Sequence, residues 1–281
     1  MNQQKSIVEI LKAQLKTDES LPVLSKNSLQ LQDEVIKTDP DHRKIEALIK
    51  TDPSVTGHVL KMANSPFYRG LEQISTIKEA MVRLGSTELG NIILQAIHKN
   101  NFQSKDPFIR KHQINLLKHS IYCAVGSFWT ARHLELEDII PKSFIAGLLH
   151  DMGKLYLLTA FEKLKKNKVI DNYPSPALIK EILDKLHARL GYELLSHWNL
   201  PEELCTIAGN HHMEKFDQSD ILLVLVRLID QVVNKMKKGN KEEDTVKIAS
   251  SVEADILGIS EIGLAEIEIA IEDYQERTSA A

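Results

Sequence analysis

The residues best suited to chemistry lie in the stretch from Phe144 to Tyr156, which reads F-I-A-G-L-L-H-D-M-G-K-L-Y. His150, Asp151 and Lys154 interrupt a run that is otherwise apolar or glycine. Burying an unpaired carboxylate and imidazole costs on the order of several kcal/mol, so such a pair needs a metal, a counter-charge or a hydrogen bond. An adjacent His and Asp offer a neutral nitrogen and an anionic oxygen, which suit iron, manganese or zinc. The pattern therefore raises the hypothesis of a divalent metal site.

Two further polar residues lie inside apolar helical patterns. His119 stands in I-N-L-L-K-H-S-I-Y-C-A-V, and Asp230 stands in L-L-V-L-V-R-L-I-D-Q-V-V. An ionised carboxylate is rarely buried without a partner, so both residues are candidate ligands. The alternatives are a hydrogen-bonded core histidine for His119 and a helical ion pair between Asp230 and Arg227.

Three more histidines complete the candidate set. His187 precedes A-R-L-G-Y-E-L-L, and His211 and His212 end a helix that is expected to begin at Pro201. The ordinary alternatives are an exposed helix start for His187 and, for the pair, stabilisation by the negative end of a helix dipole. Five other histidines lie in polar or mixed surroundings and are expected at the surface: His42, His58, His98, His112 and His133.

Nearly every segment shows helical spacing of apolar residues, and the signals between segments are helix caps, so we predict an all-α protein. Asp52-Pro53 and Asp106-Pro107 are helix openings, because Asp accepts hydrogen bonds from free amides and Pro tolerates the first helical position. Thr76 and Glu79 have capping-box spacing. Gly85 is placed to close their helix in a left-handed conformation.

The helices that are expected to carry the candidate ligands lie in the second half of the chain. One helix starting at Pro141 is expected to carry both His150 and Asp151, with Gly153 weakening it locally. The polar region from Asn100 to Pro107 is the predicted boundary, which divides the chain into residues 1–105 and 106–281. The other expected helices are 107–133 with His119, 177–186, 187–197, 201–211 and 220–236 with Asp230.

Composition limits the function classes. The 281 residues are 43% hydrophobic and can bury a substantial core in one large or two medium domains. A net charge of −4 and a pI near 6.3 argue against a general nucleic-acid binder, and no helix-turn-helix with a basic face is evident. The basic run from Lys235 to Lys241 is expected to be a solvated loop.

The chain shows neither a secretory signal nor an apolar segment long enough to span a membrane, so we expect a cytoplasmic protein without a membrane partner. In a reducing compartment, Cys123 and Cys205 are expected to be buried thiols and not a disulfide.

The order H…HD…H…HH…D along an all-α chain resembles the HD superfamily of metal-dependent phosphohydrolases, from about Pro107 to Met236. The resemblance implies a helical bundle that holds one or two divalent ions of iron, manganese or zinc. It implies that the first ion is held by His119, His150, Asp151 and Asp230. Three residues match the added histidines that hold a second metal in the HD-GYP subgroup: His187, His211 and His212.

Lys154 matches the lysine of that subgroup's H-D-I-G-K motif, which points at a substrate phosphate. The resemblance therefore implies catalytic roles for Asp151 and Lys154. The match to this subgroup is partial. The chain lacks a G-Y-P triplet and has Asn115 where trinuclear members carry a glutamate.

The first half of the chain resembles the HDOD domain, the HD-related output domain of bacterial signalling proteins. The motifs are K-T-D-P-S-V-T-G-H-V-L-K-M-A-N-S-P-F-Y-R-G at residues 50–70 and I-S-T-I-K-E-A-M-V-R-L-G-S-T-E-L-G-N at residues 74–91. Leu21-Pro22 and the W-N-L-P at residues 198–201 also match. The implied fold is an N-terminal helical subdomain packed on an HD-type metal-binding helical domain.

The HDOD resemblance implies a regulatory module of bacterial two-component or cyclic-di-GMP networks that contacts signalling proteins and senses a metal or nucleotide. No receiver, GGDEF or EAL domain precedes or follows it, so we expect a stand-alone module. The alternative is an active metal-dependent phosphohydrolase that acts on a nucleotide or other phosphoester. Retention of all seven candidate ligands and Lys154 favours that alternative.

Overall fold

A computed structural model describes residues 7, 9–11, 25–37, 39–68, 70, 72–100, 102–239 and 242–279. These residues form helices and no strand, which confirms the all-α prediction. Leu21-Pro22 lies outside the described residues. The numbered helices are α1 (Lys26–Val35), α2 (His42–Lys50), α3 (Pro53–Ala63), α4 (Ile77–Asn100), α5 (Pro107–His133), α6 (Ile140–Leu149), α7 (Met152–Lys166), α8 (Pro176–His197), α9 (Glu202–Asn210), α10 (Ile221–Lys238), α11 (Glu242–Ala249), α12 (Val252–Leu257) and α13 (Glu261–Ser279).

The chain divides into two compact units that alternate along the sequence. The first unit comprises residues 1–23, 102–118 and 149–214, and the second comprises 24–101, 119–148 and 215–281. The predicted boundary between residues 105 and 106 follows the polarity of the sequence and stays a prediction.

In the first unit, α8 packs against both α7 and α9. Their helical periodicity turns apolar side chains inward, including Leu155, Phe161, Ile179, Leu194 and Ile207, all of which are buried. Ser175 begins α8 by accepting a hydrogen bond from the Leu178 amide at 3.3 Å. These three helices bring the candidate ligands of the first unit together.

In the second unit, the predicted helix openings are confirmed. The Asp52 carboxylate accepts from the amides of Ser54 and Val55 at 2.9 and 3.1 Å, and so begins α3. Thr76 and Glu79 form the predicted reciprocal capping box at the start of α4. The caps satisfy amides that the first turn of a helix leaves without a partner.

The side chain of Asn64 explains why an Ala-Asn-Ser end suits α3. Its amide nitrogen donates to the Ile74 carbonyl at 2.8 Å, and its oxygen accepts from the Ile74 amide at 2.9 Å. Arg83 donates to the Ala63 carbonyl at 3.3 Å and to the Glu72 carbonyl at 2.6 Å. These bonds tie the loop after α3 to the following helix.

Gly85 separates two helices that α4 joins, as predicted, but not in the left-handed helical conformation. Its φ of 74° and ψ of 170° make a kink, after which the second helix continues to Asn100. This combination of angles is accessible almost only to glycine. Gly85 therefore redirects the helix.

The C-terminal part of the second unit is built on α10, whose apolar residues pack in one cluster with those of α12 and α13.

The prediction of a solvated loop at residues 235–241 is wrong for residues 235–238. Helix α10 continues to Lys238, and the ammonium of Lys235 is buried 2.5 Å from a Glu268 carboxylate oxygen. His98, expected at the surface, is also buried. None of the helices in the described ranges combines the length and apolar content that crossing a bilayer requires.

Candidate metal centre

His150 and Asp151 form a turn between two helices. Helix α6 ends at Leu149, and α7 begins at Met152. Asp151 has a φ of −101° and a ψ of 12°, in a sparsely populated region where many active-site residues lie. The prediction that both residues lie within one helix is therefore wrong. The side chain of Asp151 makes no capping bond to α7, so its carboxylate faces other groups.

Gly153 permits a close contact between α7 and α8. A Cβ at this position would collide with the His187 carbonyl oxygen and would lie 2.6 Å from the Gly191 nitrogen. The absent side chain therefore lets the α8 backbone approach the start of α7, beside Asp151. Gly153 was predicted only to weaken its helix locally, and its packing role is visible only in the tertiary structure.

His187 lies in the middle of α8 and is 1% exposed. The alternative of an exposed helix start is therefore excluded, and the prediction that a separate helix begins at His187 is wrong. No cap or breaker residue separates Leu186 from His187, so one continuous helix forms. Its periodicity then turns His187 toward the interior of the first unit.

Three buried ligand atoms converge in the first unit. The Asp151 Oδ1 lies 3.4 Å from the His187 Nε2 and 3.5 Å from the His211 Nε2, and the two ring nitrogens are 3.2 Å apart. In a tetrahedral site with metal–nitrogen and metal–oxygen bonds of about 2.0–2.1 Å, neighbouring ligand atoms lie about 3.3 Å apart. The three side chains therefore fit a metal ion without rearrangement.

Backbone carbonyls orient both imidazole rings. The Nδ1 of His187 donates to the Leu183 carbonyl at 2.7 Å, and the Nδ1 of His211 donates to the Ala208 carbonyl at 3.0 Å. A carbonyl oxygen only accepts, so in each neutral ring the lone pair is at Nε2, which faces Asp151. Such outer hydrogen bonds fix the tautomer of metal-binding histidines. Burial lowers the pKa of His187 to about 3, so this ring is neutral at pH 7.

The second oxygen of Asp151 faces a different set of groups. Its Oδ2 accepts from the Lys154 ammonium at 2.7 Å and lies 3.6 Å from the His150 Nε2. The ring of His150 packs edge-on against that of His211, with centroids 5.0 Å apart. Asp151 therefore faces His187 and His211 through its Oδ1, and Lys154 and His150 through its Oδ2.

His212 is exposed at the edge of this cluster, with its ring centroid 4.1 Å from that of His211. Four residues predicted as ligands in fact offer ligand atoms within 4.8 Å of one another: Asp151, His187, His211 and His212. Their roles as ligands and the catalytic roles of Asp151 and Lys154 stay predictions.

Two more of the predicted ligands, His119 and Asp230, lie in the second unit. The His119 Nε2 is 3.0 Å from the Asp230 Oδ1, which also accepts from the Asn234 amide at 2.9 Å. Arg227, the alternative partner of Asp230, pairs with Glu253 at 2.7 Å. The His119–Asp230 contact joins α5 to α10.

The sequence reasoning did not count Cys123 among the candidate ligands. Its Sγ lies 3.7 Å from the His119 Nε2 and is fully buried. The signal was present in the sequence, because residues four apart lie on the same face of a helix. Cys123 and His119 have this spacing on α5.

The chain matches the model of the HDOD domain over residues 21–214. It is 29% identical over 198 residues to an uncharacterized protein of Treponema pallidum (strain Nichols), covering 69% of this chain and 38% of that protein. The chain therefore spans well under half the length of this curated relative.

Two solved structures of low sequence identity share the fold. An HDOD domain protein with unknown function from Geobacter sulfurreducens has a TM-score of 0.73 at 18% identity, covering 97% of this chain and 96% of that chain. A protein from Shewanella amazonensis SB2B, described as a candidate metal-dependent phosphohydrolase, has a TM-score of 0.64 at 18% identity, covering 94% and 97%. The family model covers most of the chain, and the chain belongs to the HDOD domain family.

Proposed function

We propose that this protein is a bacterial signal-transduction module whose regulatory state depends on a divalent metal bound by Asp151, His187 and His211. The observation that carries the proposal is the set of three buried donor atoms, 3.2–3.5 Å apart. Two imidazole nitrogens and one carboxylate oxygen suit zinc, manganese or iron. The bonds of His187 and His211 to backbone carbonyls hold the donors in place.

The position of the ligands in the fold supports a regulatory role. Asp151 directly precedes α7, His187 lies in α8, and His211 follows α9. A metal bound to all three would cross-link three helices of the first unit. Because metal binding stabilises only the folded arrangement of its ligands, it would change the stability of this unit as a whole. A signalling partner that reads the surface of the unit would then respond to the metal.

Other parts of the proposal rest on the HDOD and HD resemblances. The partners are signalling proteins of a two-component or cyclic-di-GMP network, with a nucleotide or other phosphoester as a small-molecule ligand. Another ion is proposed at His119 and Asp230 in the second unit, and His212 is proposed to complete the histidine set of the Asp151–His187–His211 site.

The metal content of protein purified without chelator tests the proposal. We expect bound zinc, manganese or iron in the wild type and its loss in Asp151→Ala and His187→Ala. A matched control is His133→Ala, because His133 is half exposed and pairs with Glu266 at 3.6 Å. A metal-free wild type, or unchanged stoichiometry in His187→Ala, would contradict the proposal.

The alternative function is a metal-dependent phosphohydrolase, and the position of Lys154 favours it. Its ammonium is held 2.7 Å from Asp151, beside the proposed metal ligands, with 21% of the side chain exposed. A bound metal would activate a water and neutralise phosphate oxygens. Lys154 would add positive charge next to the phosphate.

Hydrolysis assays on metal-loaded protein separate the two functions. The substrates are bis(p-nitrophenyl) phosphate and cyclic di-GMP, with manganese or iron added. Turnover that is lost in Asp151→Ala would overturn the purely regulatory function. Absence of turnover by protein with measured bound metal would overturn the enzymatic one.

A further inference from the structure

We propose that Cys123 is a metal ligand, and that with His119 and Asp230 it forms a zinc-selective site in the second unit. His119 and Cys123 lie one turn apart on the same face of α5, and Asp230 faces them from α10. The three side chains offer one nitrogen, one sulfur and one oxygen within 4.8 Å of one another, and all three residues are buried. The proposal rests on the proposed function only where it takes His119 and Asp230 as metal ligands.

Two separations between these donor atoms are close to those of a zinc site. With a zinc–sulfur bond of about 2.3 Å and a zinc–nitrogen bond of about 2.0–2.1 Å, the two ligand atoms of a tetrahedral site lie about 3.6 Å apart. The Cys123 Sγ is 3.7 Å from the His119 Nε2. The His119 Nε2 and the Asp230 Oδ1 are 3.0 Å apart, against about 3.3 Å in such a site.

The backbone around Cys123 is held by close helix packing. A Cβ at Gly147 would lie 2.5 Å from the Cys123 carbonyl oxygen and 2.9 Å from the Ala124 Cα. Gly147 therefore lets α6 contact the α5 backbone at this point, within the second unit. A ligand on such a constrained backbone is already positioned before a metal binds.

The other cysteine shows what an ordinary buried thiol looks like in this protein. Cys205 is also fully buried, but its Sγ donates to the Leu200 carbonyl oxygen at 3.7 Å. Burial raises the pKa of the Cys205 thiol, which keeps it protonated. The two cysteines are equally buried but have different neighbours. Cys123 faces the imidazole nitrogen of His119, which is a common metal ligand, and Cys205 faces a backbone carbonyl.

Coordination by Cys123 has a defined chemical balance. The S–H bond breaks, a sulfur–metal bond forms, and the proton passes to solvent. No electron is transferred. A thiolate is a soft ligand, so it favours zinc or cobalt over manganese or magnesium. The second-unit site would then differ in metal preference from the Asp151–His187–His211 site, which has only nitrogen and oxygen donors.

Cobalt titration of the full chain tests this assignment. After treatment with a chelator, Co²⁺ is added and the thiolate-to-cobalt charge-transfer absorption is measured in the near ultraviolet. We expect this band in the wild type and in Cys205→Ala, and its absence in Cys123→Ala. Absence from the wild type, or persistence in Cys123→Ala, would overturn the proposal.

His187→Ala keeps this test separate from the proposed function. The band should remain in His187→Ala even though that variant loses its first-unit metal. If the first-unit site binds no metal, the cobalt–thiolate band is still expected. The proposed function and the assignment of Cys123 can therefore be contradicted separately. For zinc, we expect Cys123→Ser to weaken binding at this site by at least about 10-fold, since loss of an outer-shell partner alone costs that much.

X-ray absorption on zinc-loaded wild-type protein tests the assignment of Cys123 even if the Cys123 variants do not fold. We expect a sulfur neighbour at about 2.3 Å from zinc in the wild type and in Cys205→Ala. A shell of nitrogen and oxygen alone, in protein that contains zinc, would overturn the assignment of Cys123.

Discussion

Asp151 shows how a single carboxylate can serve two sets of groups. Its Oδ1 faces the ring nitrogens of His187 and His211, and its Oδ2 accepts from Lys154. The Lys154 ammonium supplies a counter-charge for a carboxylate that is 1% exposed. Without a metal, this ion pair is a main compensation for the cost of burying the negative charge.

Replacing Lys154 tests this compensation. We expect Lys154→Met to lower the free energy of unfolding of the metal-free protein by about 3 kcal/mol, because it leaves the buried Asp151 without its counter-charge. The measurement is urea denaturation in the presence of a chelator. Metal affinity at Asp151 should rise, because the carboxylate is released from the ammonium.

The matched control is Lys185→Met, which removes a lysine from an exposed ion pair with Glu181 at 2.6 Å. An exposed pair of this kind contributes about 0.3–0.5 kcal/mol. Equal effects of the two substitutions would show that burial of Asp151 is not compensated by Lys154.

The burial of His187 predicts a pH dependence of stability. Its pKa falls from 6.5 to about 3 on folding, chiefly because burial disfavours the charged ring. The unfolded chain therefore binds a proton that the folded chain does not. The contribution of His187 to stability is complete above about pH 6.5 and is lost as the pH falls toward 3.

In His187→Gln this contribution should disappear. Without metal, its stability should fall less steeply than that of the wild type between pH 6.5 and 3, by up to about 1.4 kcal/mol per pH unit. Urea denaturation over this range in chelator measures the slopes. Identical slopes in the wild type and His187→Gln would contradict the neutral, buried state of His187.

At the scale of the helices, close backbone contacts position the candidate ligands. Gly153 lets α8 approach α7 beside Asp151, and Gly147 lets α6 approach α5 at Cys123. Each glycine lies within a few residues of a candidate ligand. The sequence motif H-D-M-G-K thus combines two donors with the glycine that allows a third donor to approach.

Gly153→Ala should therefore damage the site without changing any ligand. The added methyl group would overlap the His187 carbonyl oxygen and must push α7 and α8 apart. We expect a loss of about 1–3 kcal/mol in unfolding free energy, measured by urea denaturation, and loss of the first-unit metal, measured by elemental analysis.

Gly57→Ala is the control for the helical glycine itself. A Cβ at Gly57 in α3 would meet no atom within 4 Å, so this substitution should stabilise by about 0.5–1 kcal/mol. If Gly153→Ala behaved in the same way and kept its metal, the contact between α7 and α8 would not position His187.

At the scale of the whole molecule, the two compact units alternate along the chain, and each contains one set of candidate ligands. The first-unit set is Asp151, His187 and His211, and the second-unit set is His119, Cys123 and Asp230. Metal binding at either set would stabilise the unit that contains it, because only the folded unit assembles the ligands.

Metal addition should therefore raise the melting temperature of the full chain. At a free zinc concentration of about 100 times the dissociation constant, one site contributes about 2.7 kcal/mol. Calorimetry with and without chelator measures the shift. The increase should be smaller in His187→Ala/His211→Ala than in the wild type, and an unchanged increase would show that zinc does not bind at these histidines.

The sequence by itself determined the features that depend on local interactions. The caps at Asp52, Thr76 and Asp106 are confirmed, because they involve only neighbouring amides. The all-α class followed from apolar periodicity, and the ordered motifs identified the HDOD family, which the family match confirms. The resemblance assigned Asp151 to one ion and His187, His211 and His212 to another, whereas in the structure Asp151 lies beside His187 and His211.

Only the tertiary structure decided where the helices break and what each donor faces. The turn at His150-Asp151, the burial of His187 and the position of Cys123 beside His119 depend on contacts between helices that are distant in sequence. The alternation of the two units along the chain depends on the same contacts. Helical periodicity shows which face of a helix is apolar, but it does not show which other helix covers that face.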